Sequence, residues 1–208
     1  MNSTLQTIHD LQNLESLGKK MYGNHFEISK EDYPVINKIE TWFIQDVVRA
    51  EQLNINLKKG SLLSGPIGAG KTSIMKIFRV LFAGTNPFII KSCREITFEF
   101  SKNGYEVIQK YSSYSFDTRK VPFKPITYCF DDLGVESNLN YFGDKSNIMA
   151  EILLSRYDQF IDKQMLTHIT TNLSANDIEN MYGNRVRSRM REMFNLISFD
   201  SSAKDKRQ

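Results

Sequence analysis

An α/β fold, with a parallel sheet held in a three-layer arrangement between helices, is predicted by three observations. Short apolar runs alternate with longer stretches of helical periodicity along most of the 208 residues, as strands and crossover helices do in a parallel sheet. A glycine-rich turn at 65–72 stands between a strand-like run and a helix-like one. An apolar run at 126–130 ends in two adjacent carboxylates, Asp131 and Asp132, which places them at the carboxyl edge of a sheet, where ligands bind in open parallel folds.

Taken in order, Leu5, Ile8, Leu11, Leu14 and Leu17 recur every three residues and predict an amphipathic helix whose apolar stripe drifts around its axis, packed on its own domain or docked to a partner. Gly18–Asn24 reads as a linker, so residues 1–30 are expected to be a short helical extension and 31–208 a single core. Tyr33–Gln52 predicts a helix with Pro34 in its first turn and Ile36, Ile39, Phe43, Val47 and Val48 facing inward. Ser61–Ser64 is a strand, Thr72–Phe82 a helix and Asn86–Ile90 a second strand. Ile96–Tyr111 is helical but weakened by Asn103-Gly104, and Ser112–Lys124 is a loop. Ile126–Asp132 is a strand driven through the core by Ile126, Tyr128 and Phe130. Ser146–Asp162 is a helix with Ile148, Ile152, Leu153, Tyr157, Phe160 and Ile161 on one side, and Leu166–Thr171 a strand. Ser174 with Asp177 forms a capping box that starts the next helix; Tyr182-Gly183 ends it, and Asn184 caps another that runs to about Phe194.

The segment Gly65-Pro66-Ile67-Gly68-Ala69-Gly70-Lys71-Thr72 has the spacing of a phosphate-cradling loop. Its glycines permit a backbone path that turns successive amides inward at phosphate oxygens. The helix that follows presents its positive end, with Ser73 in the first turn. Lys71 is placed to reach the terminal phosphates of ATP, and the Thr72 hydroxyl to ligate Mg2+. Asp131 is expected to hold the metal through water. Asp132 is expected to polarise the attacking water; because aspartate is one methylene short for that job, either a second water intervenes or Glu136 shares the role.

In the last predicted helix, Val186, Met190, Met193 and Phe194 form the apolar stripe, with Arg185 and Arg189 on one flank and Arg187 and Arg191 on the other. A cation at the position of Arg185, near the helix's positive end, is disfavoured by ~0.3–1 kcal/mol. One compensation is the ATP of a neighbouring copy, whose transferred phosphoryl an arginine stabilises; a solvated basic face is the other reading.

The net charge of +3 permits nucleic acid as a partner without demanding it. Cys93 and Cys129 lack paired spacing and read as reduced core thiols, and the three histidines are scattered, so no structural metal is expected. No secretion signal and no apolar run near ~20 residues is visible, so a cytoplasmic protein with no membrane partner is expected. Between Tyr105 and Lys124, Lys110, Arg119, Lys120 and Lys124 are interleaved with Tyr111, Tyr114, Phe116 and Phe123. The rings are expected to pack on the core; the alternative is that they stack on single-stranded DNA bases while the cations follow phosphates.

Four segments in this order, the phosphate loop, Asp-Asp-Leu-Gly-Val-Glu at 131–136, Thr-Thr-Asn-Leu-Ser at 170–174 and Tyr-Gly-Asn-Arg-Val-Arg-Ser-Arg-Met at 182–190, resemble the AAA+ P-loop NTPases of the DnaC and DnaI helicase-loader type, with IstB transposition ATPases as relatives. The resemblance spans about residues 30–200. It implies an ATPase acting in DNA replication as a helicase loader or DNA-remodelling enzyme, which forms a homo-oligomer on nucleotide and meets a replicative helicase or, in the IstB reading, a transposase. It implies that Asn172 is the sensor of the terminal phosphate, and that the arginine finger is Arg189, or else Arg185. Too few residues follow Arg191 for a C-terminal helical lid, which loaders and IstB proteins also lack. The extension before residue 31 is shorter than the helicase-binding domain of typical loaders. A monomeric P-loop kinase is the reading from a different class, and it would want an acceptor pocket and a lid that the motifs do not offer.

Overall fold

Five parallel strands form the central sheet: β1 (Gly60–Ser64), β2 (Ile89–Ser92), β3 (Tyr128–Leu133), β4 (Thr167–Thr171) and β5 (Phe194–Ser198), in the order β2-β3-β4-β1-β5. The structure, a computed structural model, describes residues 2–136, 139–141, 144–203 and 205–206, with 2–10, 139–141 and 144–146 described by backbone alone. Leu5 and Ile8 of the N-terminal stripe therefore fall outside the described side chains. Eight α-helices are seen among the described residues: α1 (Asn2–Tyr22), α2 (Tyr33–Ile44), α3 (Val47–Gln52), α4 (Lys71–Leu81), α5 (Cys93–Asn103), α6 (Glu106–Tyr111), α7 (Ile148–Lys163) and α8 (Ala175–Met193). None is long and apolar enough to cross a membrane.

Successive residues of a strand face opposite sides of its sheet, and the core divides accordingly. Leu63, Cys129 and Ile197 pack under α2 and α4 with Ile39, Phe43, Ile77 and Phe78. Leu62, Phe130 and Ile169 pack against α5, α7 and α8 with Phe100, Ile152 and Val186. Both faces are covered, which gives the three layers. Each fully buried leucine, isoleucine or phenylalanine contributes about 1.5–3 kcal/mol, so the two clusters hold the strand ends firmly in place.

His168 on β4 sits in the first cluster, its ring 4.7 Å from Trp42, 5.3 Å from Phe88 and 5.6 Å from Phe43. Its Nδ1 accepts the Ser61 amide at 3.1 Å, so the proton is on Nε2. Burial, and then the nearby Arg156 charge, lower its pKa from 6.5 to about 3. The unfolded chain thus binds a proton below pH 6.5 that the folded chain refuses. Stability from this group is complete above pH 6.5 and falls by about 1.4 kcal/mol for each pH unit as the pH drops toward about 3. Urea unfolding at pH 7 and pH 5 is expected to show this slope, and His168→Gln to flatten it.

Several elements differ from the sequence reading, each for a local reason. The N-terminal helix runs through the expected linker to Tyr22, and Gly18 within it marks a close approach, not a break: a methyl group there would lie 2.2 Å from the Phe26 ring. The stretch 33–52 is two helices, broken where Gln45 turns left-handed (φ 57°) and Asp46 caps α3 by accepting the Arg49 amide at 3.0 Å. That turn leaves Val47 and Val48 exposed, not inward, at 63% and 66%. Ile161 is likewise exposed. Asn86 precedes its expected strand and donates to Phe43 O at 2.7 Å. The weak point at Asn103-Gly104 is a true break between α5 and α6.

Strand β5 lies where the sequence reading saw only the end of a helix. Its burial alternates only from Asn195 onward, buried Asn195, exposed Leu196, buried Ile197 and exposed Ser198, and Phe-Asn-Leu-Ile-Ser has no apolar–polar alternation that would mark a strand in the sequence. The junction at Gly183 is a kink inside α8, with φ 85° and ψ 160°, a conformation that only glycine adopts without strain. Asn147, the N-cap of α7, donates to Met181 O at 3.1 Å beside that kink.

Candidate functional site

The loop at 65–70 joins β1 to α4, and its geometry follows from its glycines. Gly70 is the N-cap of α4 in a left-handed conformation, φ 94° and ψ 9°. Ala69 is buried while Ile67 stands at the exposed tip, 61% accessible. The first intrahelical bond runs from the Ile74 amide to Gly70 O at 2.9 Å, so the amides of Lys71, Thr72 and Ser73 are the helix donors left without an intrahelical acceptor. Lys71 is 7% exposed. Its Nζ donates to Gly65 O at 2.8 Å and Pro66 O at 2.7 Å, folded back on the loop it springs from.

The second segment meets the first through one oxygen. The Thr72 hydroxyl donates to Asp131 Oδ1 at 2.8 Å, and Thr170 Oγ1 donates to the same oxygen at 2.7 Å. Thr170 also accepts the Asp132 amide at 2.8 Å, so a fully buried β4 hydroxyl positions both aspartates. The register explains the meeting: Asp131 pairs with Ser92 of β2, and the β3–β4 register shifts between Phe130 and Leu133. That bulge, with Asp132 left-handed at φ 63°, turns Asp132 out of the ladder to an exposed position. An aspartate tolerates this conformation better than a bulky residue does.

Asn172 follows the last residue of β4 and is exposed at the same edge of the sheet. Glu136 does not join it. Its Oε2 accepts the Gly134 amide at 2.9 Å, its Oε1 accepts the buried Tyr182 hydroxyl, and the side chain is 7% exposed. This carboxylate braces the turn after β3 against α8, and the exposed Asp132 is the carboxylate nearer the loop's open side. Burial and the Glu136 charge push the Tyr182 phenol well up, and burial does the same to both cysteine thiols, which stay protonated and unpaired in the core.

The arginines of α8 part company. Arg189 stacks on Tyr157, 4.3 Å from the ring centroid, and its Nη1 donates to Tyr157 Oη at 3.0 Å and Glu192 Oε1 at 3.3 Å. Arg187 is paired with Glu179 across the kink. Arg185 is exposed and has no hydrogen bond or ion pair with any described residue.

The expectation that the rings of 105–124 pack on the core holds for Tyr111 alone among the four, since it is 2% exposed and stacks edge-on against Tyr128 at 5.3 Å. Tyr114 and Phe123 are 72% and 60% exposed, and Phe116 is half-buried in a short hairpin, Phe116–Asp117 with Lys124–Pro125. Three of the cations there are engaged: Lys110 with Glu99 at 2.7 Å, Arg119 with Asp117 at 2.9 Å and Lys120 with Asp117 at 3.8 Å.

Sequence reading missed Thr170 as a positioning residue, although three threonines in a strand buried on both sides signal hydroxyls that need partners. The residues present suit a magnesium nucleotide. A glycine-capped helix start offers backbone donors for phosphate, and the Thr72–Asp131 pair offers the hard oxygen ligands that magnesium takes.

No protein-family model and no curated protein matches the sequence. Among solved structures, a protein assigned as a primosome component from Streptococcus pyogenes serotype M3 is similar at TM-score 0.56 and 15% identity, over 85% of this chain and 83% of that one. AMPPCP-bound DnaA from Aquifex aeolicus is similar at TM-score 0.53 and 12% identity, over 84% of this chain and 48% of that one. A DnaC helicase loader aligns at TM-score 0.48 and 18% identity, over 74% of this chain and 92% of that one. With its β2-β3-β4-β1-β5 order and a phosphate loop after β1, the chain has the three-layer P-loop NTPase fold seen in the primosome component and in DnaA.

Proposed function

We propose that this chain is a DnaC-like AAA+ ATPase that binds ATP with Mg2+, hydrolyses it, and acts in DNA replication as a helicase loader or DNA-remodelling enzyme. The observation that carries the reading is the 2.8 Å contact between Thr72 and Asp131. Two side chains 59 residues apart meet at the mouth of a glycine loop, and a structural turn has no need of that meeting. Magnesium bound there neutralises phosphate charge. The chain's own groups do the rest: backbone amides at 68–73 orient the phosphates, Lys71 engages the terminal ones, and Asp132 accepts the proton of the attacking water. Asn172, exposed after β4, senses the terminal phosphate in this reading. Residues 31–208 act as the ATPase core and the N-terminal helix as its extension.

Asp132→Asn is expected to bind ATP with near-native affinity and to lose turnover by about a hundredfold or more. Wild-type hydrolysis in that variant would reassign the base.

Assembly side by side on DNA, with one copy's arginine completing the next copy's site, is supported by Arg185, an exposed arginine near a helix start with no described partner. Arg189 must leave its ring to act, at a cost of about 0.5–1 kcal/mol, so Arg185 is the first choice and Arg189 the second. Lys71→Ala protein mixed with Arg185→Ala protein should recover part of the activity that each lacks alone, because the mixture contains boundaries with one intact loop and one intact arginine. No recovery at any ratio would place the arginine in its own subunit's site or remove it from the reaction. The exposed Tyr114 and Phe123 rings beside Lys124 are the proposed contact to single-stranded DNA. Capture of the replicative helicase in the presence of ATP tests the loader role.

A further inference from the structure

The chain after β5 lies back on the phosphate loop. The Phe199 amide donates to Ser64 O at 2.8 Å, extending the β1–β5 ladder by one rung, and a methyl group at Gly65 would stand 2.7 Å from Phe199 Cβ. Further on, the Lys206 amide donates to Gly68 O at 3.1 Å. The Lys206 ammonium pairs with the carboxylate of Asp32, which is 4% exposed at the start of α2, lies 5.7 Å from the centroid of the Phe199 ring and would stand 4.0 Å from a methyl group built on Gly70, farther from the loop than the Asp205 oxygens are. Asp205 rests on the loop itself: a methyl group built on Gly68 would be 2.1 Å from its Oδ1 and 2.7 Å from its Oδ2.

We propose that residues 199–203 with Asp205 and Lys206 form a strap that regulates nucleotide occupancy, latched at one end by Lys206 on Asp32 and holding the Asp205 carboxylate against the phosphate cradle as a built-in competitor. Gly68 belongs to the run of residues whose amides face a bound polyphosphate. A carboxylate resting on it brings like charge to the place a polyanion must enter, so nucleotide and the closed strap oppose each other. Binding of one favours release of the other, by the reciprocity of any linked pair of equilibria. The strap therefore sets how much ATP is needed to load the site. This proposal rests on the nucleotide-binding reading above.

The test measures the affinity of a non-hydrolysable ATP analogue with Mg2+ for the full chain and for Asp205→Asn, at low and at high salt. Removing one negative charge at this range is expected to tighten binding about tenfold at low ionic strength, and the gap should narrow as added salt screens the charge. A merely structural effect of the asparagine would not follow salt in this way. Lys206→Met, which removes the latch to Asp32 and so frees the intact Asp205 carboxylate to leave the loop, is expected to speed nucleotide association, and unchanged or slower association would count against the strap. In wild-type protein, saturating analogue should accelerate amide hydrogen exchange at residues 200–206. Equal or weaker affinity in Asp205→Asn, or slower tail exchange on binding, overturns the strap while leaving the nucleotide reading intact. If neither protein binds and both behave like Lys71→Ala, the nucleotide reading falls and takes the strap with it.

Discussion

Lys71→Ala is expected to lose nucleotide binding altogether on the scale of a calorimetric titration while keeping its fold. The Lys71 ammonium is buried to 7% exposure and now donates to two neutral carbonyls, those of Gly65 and Pro66. Exchanging those acceptors for phosphate oxygens gains a charge–charge contact worth about 4 kcal/mol in a site of intermediate polarity, roughly a thousandfold in affinity. Alanine forfeits all of that contact. The cost to the fold is smaller, because two hydrogen bonds to neutral carbonyls contribute about 1–3 kcal/mol together, and helix α4 keeps the apolar face that packs Ile74, Ile77 and Phe78 into the core. Titration of the variant with the Mg2+ complex of an ATP analogue checks the first part and thermal unfolding the second. Native affinity in the variant would remove the phosphate-cradle assignment from residues 65–73.

The fold and the loop were legible because both are written in local patterns. A phosphate loop is one contiguous run, and the strand ending at Asp131 and the Ser174–Asp177 capping box are short-range signals whose physics is complete within a few residues. What escaped depends on chain paths that meet at a distance. Glu136 carries the same carboxylate whether it faces water or Tyr182, and only the packing of α8 decides which. Thr170 reads as an ordinary β-branched strand residue until β3 is laid beside it. Arg189 and Arg185 share one flank of a helix by spacing, yet the Tyr157 ring on α7 separates an engaged arginine from an exposed one. Val47 and Val48 fit an inward stripe only while the helix is assumed unbroken at Gln45. Strand β5 was hidden by a helix signal that ends on its first residue.

Arg156 is the residue whose loss is expected to damage the molecule most, and no motif points to it. It lies on α7 at 0% exposure, and no carboxylate pairs with it among the described residues. Its guanidinium donates to Thr167 Oγ1 at 2.7 Å, Tyr111 O at 2.8 Å, Ile126 O at 3.1 Å and Leu166 O at 2.7 Å. The rings of Tyr128 and Phe130 lie 5.5 Å away. Burial lowers its pKa to about 9, so the charge persists at neutral pH, compensated by oxygen dipoles and aromatic faces in place of an ion. Arg156→Ala orphans two buried acceptors, Thr167 Oγ1 and Tyr111 O, at about 1–3 kcal/mol each and two part-buried ones, Ile126 O and Leu166 O, at less, partly offset because the guanidinium no longer has to be desolvated. The expected net loss is about 3–5 kcal/mol, read from urea unfolding at pH 7. Lysine is expected to recover less than half of it, since a point charge with three donors cannot meet four acceptors spread in the plane of a fork. Three of the acceptors lie at the amino ends of β3 and β4, where Tyr128 pairs with Thr167, the fourth ends α6, and the same ladder carries Asp131 and Thr170 farther along. Arg156 therefore fixes the register that brings the two aspartates to the phosphate loop, and nucleotide affinity should fall with stability in the alanine variant. A loss below about 1 kcal/mol, or an unstable variant that still binds nucleotide at native affinity, would separate the buried guanidinium from the site and leave the β3–β4 register to the apolar core alone.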